Sequence, residues 1–312
     1  MAYDSVKTPA GSRDDALGGS ATFFSVSGSY FAPVSVVAVV GEDFKDGDVE
    51  LLKNHGVDVS GLDRRPGKTF RWSGVYGAED VNTRDTLDTQ LNVFADFAPD
   101  LSLDQRKSTY LFLANIAPEL QMAVLEQMTE RPRLVALDSM ALWIDISAEA
   151  LKRIIRKVDV LFLDETEVRT FTKRSNLVEA AKQIMAMGPS AVVAKRGDHG
   201  VLLFHADSIF SAPAFPLEHV IDPTGAGDSF AGGFMGYLAS TGDLTTEGFK
   251  FATMVGSVMG SYAVESFSLE RTASLTKDEI ESRFRALTDL TRFTSLGENE
   301  SLPFQGSGAV PA

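Results

Sequence analysis

Short runs of β-branched and aliphatic residues alternate along this chain with segments of helical periodicity. The runs are VSVVAVV (34–40), YLFLAN (110–115), RLVALD (133–138), VDVLFLD (158–164) and AVVAK (191–195). Amphipathic segments such as PELQMAVLEQMTE and NLVEAAKQIMAMG lie between them. Strands that are apolar at every position have both faces covered, as in parallel sheets. The pattern therefore predicts an α/β fold, with a mostly parallel sheet sandwiched between helices.

One region, Lys68 to Phe97, alternates polar with aromatic or aliphatic residues and has turn residues in its middle. This alternation predicts a small antiparallel sheet over roughly 66–97, placed as a lid over a site at the strand ends. Its aromatic residues Phe70, Trp72 and Tyr76 have two open interpretations. They either stack on a bound base, or form the dry face of the lid or a homodimer contact through it.

The charge balance restricts the partners of the chain. The sequence has 29 Lys and Arg against 43 Asp and Glu, a net charge of -14. We therefore expect no nucleic-acid or anionic-membrane partner, and any anionic ligand must be bound by local groups. There is no cysteine, and no signal-like or membrane-length apolar segment is evident, so we expect a cytoplasmic protein.

The segment DPTGAGD, from Asp222 to Asp228, combines a turn signal with glycines and leads into an apolar helix. Backbone N–H groups at the start of a helix attract anions, and the helix dipole adds to this attraction. A carboxylate in the first turn, here Asp228, either caps the helix or removes a proton from a substrate hydroxyl. The residues alone leave these two roles open. The later glycines are expected to pack closely against the sheet, and they are Gly232, Gly233 and Gly236.

The stretch DPTGAGDSFAGGF resembles the C-terminal signature of the ribokinase-like (PfkB) carbohydrate and nucleoside kinases. The resemblance implies ATP-dependent, Mg²⁺-assisted phosphoryl transfer to a hydroxyl, a primary CH₂OH group, of a small-molecule sugar or nucleoside. By resemblance Asp228 is the catalytic base, and the backbone of Gly225, Ala226 and Gly227 forms the anion hole. Thr224 is assigned to the nucleotide.

The resemblance runs from Asp4 to about residue 290 and implies a substrate side to the site. Gly18 and Gly19, in LGGSATFFS, match the glycine pair at which a sugar or ribose hydroxyl meets the backbone at a helix start. Asp4 matches an N-terminal aspartate that binds substrate hydroxyls, and a carboxylate suits that task because it accepts two such hydrogen bonds.

Two further segments match the nucleotide side of the family. AKRGDHG places Lys195 beside the nucleotide phosphates, with Gly197 and Gly200 forming a tight turn. LDETEV aligns with a segment that orders Mg²⁺ and phosphate through water, which assigns Glu167 to the metal. Asp164 replaces the usual asparagine there, which adds negative charge near the phosphates and makes nucleotide affinity uncertain.

Other departures from the pattern of the family define an alternative to the kinase function. The family's first-signature asparagine is not evident near Thr22 and Phe23, and only three residues precede Asp4. We therefore expect the kinase domain, 1–294, to lack its first sheet strand, and we expect a disordered tail over 295–312. The alternative function is a catalytically weak or inactive ribokinase-like ligand-binding or regulatory protein. ATP consumption that depends on an acceptor distinguishes the two.

Overall fold

The computed structural model describes residues 1–77, 82–297, 300 and 302. The strands of this part of the chain are β1 (Ala2–Thr8), β2 (Gly11–Gly18), β3 (Ser35–Gly41), β4 (Asp58–Arg65), β5 (Arg71–Tyr76), β6 (Arg84–Gln90), β7 (Tyr110–Leu113), β8 (Leu134–Asp138), β9 (Val160–Asp164), β10 (Ala191–Lys195), β11 (Val201–His205) and β12 (Ser208–Ala212). Its α-helices are α1 (Ser20–Ser29), α2 (Asp46–Asn54), α3 (Pro118–Gln127), α4 (Ala141–Ile146), α5 (Ala148–Ile155), α6 (Glu165–Thr172), α7 (Leu177–Met185), α8 (Ala226–Thr241), α9 (Thr246–Ala263) and α10 (Lys277–Asp289).

The main sheet has the strand order β12-β11-β10-β9-β8-β7. Strands β7 to β10 are parallel, while β11 and β12 extend the edge as antiparallel strands. In β8, Val135 and Leu137 pack with α5 and α7, whereas Leu134 and Ala136 pack with α8 and α9 on the other face. Both faces are therefore covered, which is why these strands are apolar at every position. The predicted α/β sandwich is confirmed.

Strands β3 and β4 form a separate two-stranded parallel sheet, with Ala38 opposite Leu62. Helices α1 and α2 pack against it through Val26 and Leu52, both fully buried. Strand β1 does not belong to either of these sheets. The expectation that the chain lacks a first strand of the main sheet stays a prediction.

A four-stranded sheet with the order β2-β1-β5-β6, the lid sheet, is larger than the sequence predicted. Its β5 and β6 are antiparallel and lie within the predicted range, 66–97. The N-terminal strands β1 and β2 were not predicted, and β1 joins the sheet by pairing parallel to β5. Residues 78–81 of the predicted lid, and most of the predicted tail (295–312), lie outside the described residues.

The glycines inside α8 have a different packing partner from the one expected. A Cβ atom on Gly232 would overlap the backbone of α1, and one on Gly236 would lie 2.9 Å from the carbonyl oxygen of Gly28. A Cβ atom on Gly233 would lie 2.7 Å from Met259 Cγ in α9. The prediction of close packing is right, but the expected partner was wrong. These glycines bring helices α1 and α9 against α8, and the start of α8 is fixed between them.

Candidate active site

The glycine-rich loop leads into α8 through Gly225, which has φ 76° and ψ 1°. This left-handed conformation favours glycine, and a Cβ atom here would also overlap the ring of Phe23. Two residues later, a Cβ atom on Gly227 would lie 3.1 Å from Lys195 Nζ. The first N–H groups of a helix lack intrahelical partners, and the helix dipole is positive there. The loop thus has the backbone geometry that an anion hole requires.

Asp228 lies in the first turn of α8, as the sequence predicted. Its Oδ1 is buried and has no hydrogen-bond partner in the described part of the chain. Burial, together with the negative charge of Asp138, raises the pKa of Asp228 to about 6, although Lys195 and a hydrogen bond from Ser20 act in the opposite direction. At neutral pH this carboxyl group is therefore mostly ionised and can accept a proton. A carboxylate oxygen that caps a helix accepts a hydrogen bond from a backbone N–H. Asp228 Oδ1 accepts none within the described residues, so this oxygen does not act as a cap.

Lys195 ends β10 and forms a buried ion pair with Asp138 at the end of β8. The distance from Lys195 Nζ to Asp138 Oδ1 is 3.0 Å, and the Asp138 side chain is 7% exposed. Burial would lower the pKa of Lys195, but the negative charges of Asp138, Glu167 and Asp228 outweigh it and raise this pKa. The lysine is therefore a permanent cation beneath the start of α8.

Asp164 and Glu167 form a capping box at the start of α6. The Asp164 Oδ1 accepts the backbone N–H of Glu167 at 2.7 Å, and Glu167 Oε2 accepts that of Asp164 at 2.8 Å. Glu167 Oε1 also accepts the N–H of Ala141 at 3.1 Å. Burial and the charge of Asp164 raise the pKa of Glu167 to about 7. Asp164 is therefore the N-cap of α6, a position for which aspartate and asparagine are about equally favoured.

The metal assignment depends on the surroundings of Glu167. No group of three or more His, Asp or Glu side chains within 1–77, 82–297, 300 and 302 could hold a metal ion directly. A Mg²⁺ ion here would therefore need oxygen ligands from phosphate and water as well, which is the coordination that Mg²⁺ prefers in phosphate-transfer sites. The carboxylates present are compatible with such an indirect contact.

The predicted substrate side brings Asp4 of β1 to the start of α1. Asp4 is 6% exposed, and its Oδ2 accepts the N–H of Gly19 at 3.3 Å. A Cβ atom on Gly18 would overlap this carboxylate, and Gly19 has φ 84°, so both glycines are required by geometry. The charges of Asp222 and Asp228 act on Asp4. The negative charges of Asp222 and Asp228 therefore oppose ionisation of Asp4.

We expect the pH dependence of stability to reveal the buried state of Asp4. Burial raises its pKa to about 7, far above the value in an unfolded chain. A carboxyl group whose pKa is raised by folding contributes its full stabilisation below the pKa that it has in the unfolded chain. This contribution is lost as the pH rises from that value through about 7. Between pH 6 and pH 8 it amounts to about 1.4 kcal/mol.

Urea unfolding of wild type and Asp4→Asn at pH 6 and pH 8 measures this difference. The wild type should lose more unfolding free energy between the two pH values than the variant, in which Glu167 and Asp228 still titrate. Exposed Asp14, changed to Asn, is the matched control and should keep the wild-type loss. An Asp4→Asn protein with the wild-type loss would contradict the prediction.

The lid sheet contacts two loops of the site. On one side, Asn82 Nδ2 donates to Asp198 Oδ1 at 3.0 Å, within the tight turn of Gly197 (φ 56°) and Gly200 (φ 82°). On the other side, Thr224 Oγ1 donates to the Tyr76 hydroxyl at 3.2 Å. The lid thus bridges the segment after Lys195 and the loop before α8.

The aromatic lid residues contact protein groups. Phe70 packs edge-on against Phe94 at 5.7 Å between ring centres, and the buried Tyr76 reaches Thr224. The Trp72 ring lies beneath the guanidinium of Arg84 at 5.7 Å. These contacts support the interpretation of Phe70 and Tyr76 as packing residues of the lid.

The sequence interpretation missed three residues near the site. Asp138 ends an apolar strand, and its position at the strand terminus beside β9 was a usable signal. Ser20 follows the glycine pair directly and begins α1, where its bond to Asp228 could not be anticipated from spacing. Arg84 gave no local signal, since it lies in a polar, exposed strand far from the motifs in sequence.

The chain is similar to several known proteins in sequence and in fold. A family model described as pfkB family carbohydrate kinase matches residues 12–270. The cytidine kinase of Thermococcus kodakarensis is 28% identical over 75% of this chain and 84% of its own. The nucleoside kinase of Methanocaldococcus jannaschii superposes with a TM-score of 0.71 at 19% identity, covering 91% of this chain and 95% of its own. Aminoimidazole riboside kinase of Salmonella enterica, solved with aminoimidazole riboside and an ATP analogue, gives 0.70 at 18% identity, covering 91% and 97%.

None of the helices in the described part of the chain combines the length and the apolar character that a membrane crossing requires.

Proposed function

Because the chain belongs to the pfkB family of carbohydrate kinases, we propose that it transfers the γ-phosphoryl group of ATP to a primary hydroxyl of a nucleoside or sugar. The observation that carries the proposal is the buried, ionisable Asp228 at the start of α8, whose Oδ1 has no hydrogen-bond partner among the described residues and whose pKa is lowered by the charge of Lys195. A base, an amide cradle and a cation meet at one point. These three parts can together position and stabilise a phosphoryl group in transfer.

The chemistry follows from the positions of these groups. The acceptor oxygen attacks the γ-phosphorus and gives its proton to Asp228, while the bond to the bridging oxygen breaks and its electron pair leaves with ADP. The backbone N–H groups of Gly225, Ala226 and Gly227 stabilise the negative charge of the group in transit, and Lys195 adds a point charge. Mg²⁺, when bound, would neutralise phosphate charge, with Glu167 and Asp164 reaching it through water.

The acceptor lies on the side of Asp4 in this proposal. Asp4 accepts hydrogen bonds from substrate hydroxyls, and the backbone at Gly18 and Gly19 meets the sugar ring. The nucleotide lies toward Thr224 and the turn of Gly197 and Gly200, where the lid ends. We assign the kinase domain to 1–294, the range that contains all of these groups.

A riboside is the first acceptor class to test. The three compared proteins are named as kinases of cytidine, of nucleosides and of aminoimidazole riboside. Each name refers to a ribosyl compound, so we propose ribosides ahead of free hexoses. The residues of the site leave the base unspecified.

We expect ADP release only when ATP, Mg²⁺ and an acceptor are all present. A screen of ribonucleosides, ribose, fructose and inositol with coupled ADP detection tests this, and chelation of Mg²⁺ with EDTA should abolish the signal. Thermal stabilisation by acceptors without any turnover would instead favour the inactive ligand-binding alternative. That alternative has little support, because Asp164 keeps its local cap and the catalytic groups are present together.

The exposed edge strand of the lid sheet is compatible with the proposed homodimer. Strand β6 is the last strand of the lid sheet and is exposed along its whole length, with Leu87 65% exposed. An exposed strand with a free edge can pair with a second copy. The mass in solution, measured by light scattering for wild type and Leu87→Lys, tests this part of the proposal.

A further inference from the structure

Arg84 connects the lid sheet to the loop that opens α8. It is the first residue of β6 and lies opposite Tyr76 of β5. The charge of its guanidinium acts on the Tyr76 hydroxyl, which accepts a hydrogen bond from Thr224 at 3.2 Å. The same guanidinium lies 5.7 Å from the centre of the Trp72 ring. An exposed arginine thus lies over a ring of the lid and beside the tyrosine that contacts a loop of the site.

The charges of the site explain why a second cation would be useful. Lys195 is paired with Asp138, and the charges of Glu167 and Asp228 also act on it. Its positive charge is therefore already shared among three carboxylates before any phosphate binds. The positive charge of Arg84 also acts on Asp228. A phosphoryl group in transit beside Asp228 would lie within the field of Arg84.

We propose that Arg84 is a catalytic residue carried by the lid, and that its guanidinium contacts the phosphoryl group during transfer. This inference rests on the proposed kinase function. The planar guanidinium can donate two hydrogen bonds to phosphoryl oxygens while the acceptor O–P bond forms and the bond to ADP breaks. Arg84 takes no proton, since the acceptor proton goes to Asp228.

The contacts of the lid give this arrangement a second consequence. Asn82, two residues before Arg84, is anchored to Asp198, and Tyr76 is anchored to Thr224. These two contacts hold the lid, which carries Arg84, beside both loops of the site. An open lid would withdraw the cation, so transfer to water is disfavoured while the site is open.

The test compares Arg84→Gln, Arg84→Lys, Arg84→Ala and Tyr76→Phe with wild type in the riboside and sugar screen. Loss of one charge-stabilising donor should lower kcat of Arg84→Gln by about 10²-fold, with a much smaller change in the KM for the acceptor. Arg84→Lys should retain part of kcat, and added guanidinium ion should restore part of kcat to Arg84→Ala. Arg13→Gln, a lid arginine whose ion pair is with Glu270, is the matched control and should keep wild-type kcat.

Each outcome has one meaning. If Arg84→Gln keeps wild-type kcat, the inference is wrong. Tyr76→Phe removes the hydrogen bond between the lid and Thr224 and should lower kcat by less than Arg84→Gln does, because the guanidinium is still present. If wild type itself transfers no phosphoryl group to any acceptor in the screen, the proposed function fails first. Unchanged thermal unfolding and ADP binding in Arg84→Ala, together with guanidinium rescue, would establish a direct contact.

Discussion

Replacing Asp228 with asparagine is expected to lower kcat by about 10²- to 10⁴-fold while the fold and ADP binding are kept. Asparagine has the same shape, so the hydrogen bond from Ser20 can persist, but the amide cannot take the acceptor proton. Because Asp228 Oδ1 has no partner within the described residues, the substitution breaks no hydrogen bond at this oxygen. Turnover in the ADP assay, with ADP binding followed by calorimetry, measures the two properties separately.

The pH profile gives an independent check on the same residue. With a pKa of about 6, Asp228 is ionised above this value, so kcat/KM should rise with pH through about 6 and then level off. Asp138→Asn removes a negative charge that raises this pKa, so the rise should move to lower pH. Asp207→Asn, in the exposed turn between β11 and β12, should leave both kcat and the profile unchanged. Equal turnover in wild type and Asp228→Asn would remove the general-base role.

Lys195→Met should have the largest effect on stability. It leaves Asp138 buried without its partner, and removing one member of a buried ion pair costs about 3–5 kcal/mol. Activity should fall as well, by about 10²-fold, because the charge beneath the anion hole is lost. Urea unfolding and the ADP assay measure the two losses.

The double variant Lys195→Met/Asp138→Asn separates the two roles of Lys195. Neutralising Asp138 removes the uncompensated charge, so most of the unfolding free energy should return, while kcat should stay low. The four proteins form a double-mutant cycle whose coupling energy measures the ion pair. If stability did not recover in the double variant, the loss in Lys195→Met would come from packing. If kcat recovered with stability, Lys195 would not act on phosphate.

Local sequence predicted the parts of the site that depend on backbone conformation. Gly225, Gly197 and Gly200 have positive φ values, and glycine is the residue that adopts them without strain. Asp228 falls in the first helical turn because an apolar helix follows directly. Such features involve neighbours in sequence, so spacing and residue type are sufficient to predict them.

Contacts between distant segments could not be predicted in this way. Ser20 and Asp228 are 208 positions apart in the chain, and Ser20 affects the pKa of Asp228 because α1 packs against α8 through glycines. The residue type alone predicted that Gly232, Gly233 and Gly236 pack closely. It did not predict that they pack against helices α1 and α9. The predicted lid sheet was too small because the prediction did not include β1 and β2. Strand β1 joins the sheet by pairing parallel to β5, and no local turn connects these two segments, so the local sequence gave no signal of the pairing.

The sequence by itself determined the α/β class, the continuous apolar strands and the glycine loop before α8, since each depends on periodicity or on local backbone sterics. Only the tertiary structure decided the electrostatics. It pairs Lys195 with Asp138, buries Asp4 and Asp228 so that their pKa values rise, and brings Arg84 of the lid to Tyr76. Burial and the distances between charges depend on the folded conformation, because they involve residues that are far apart in the chain. The order of residues alone therefore does not give them.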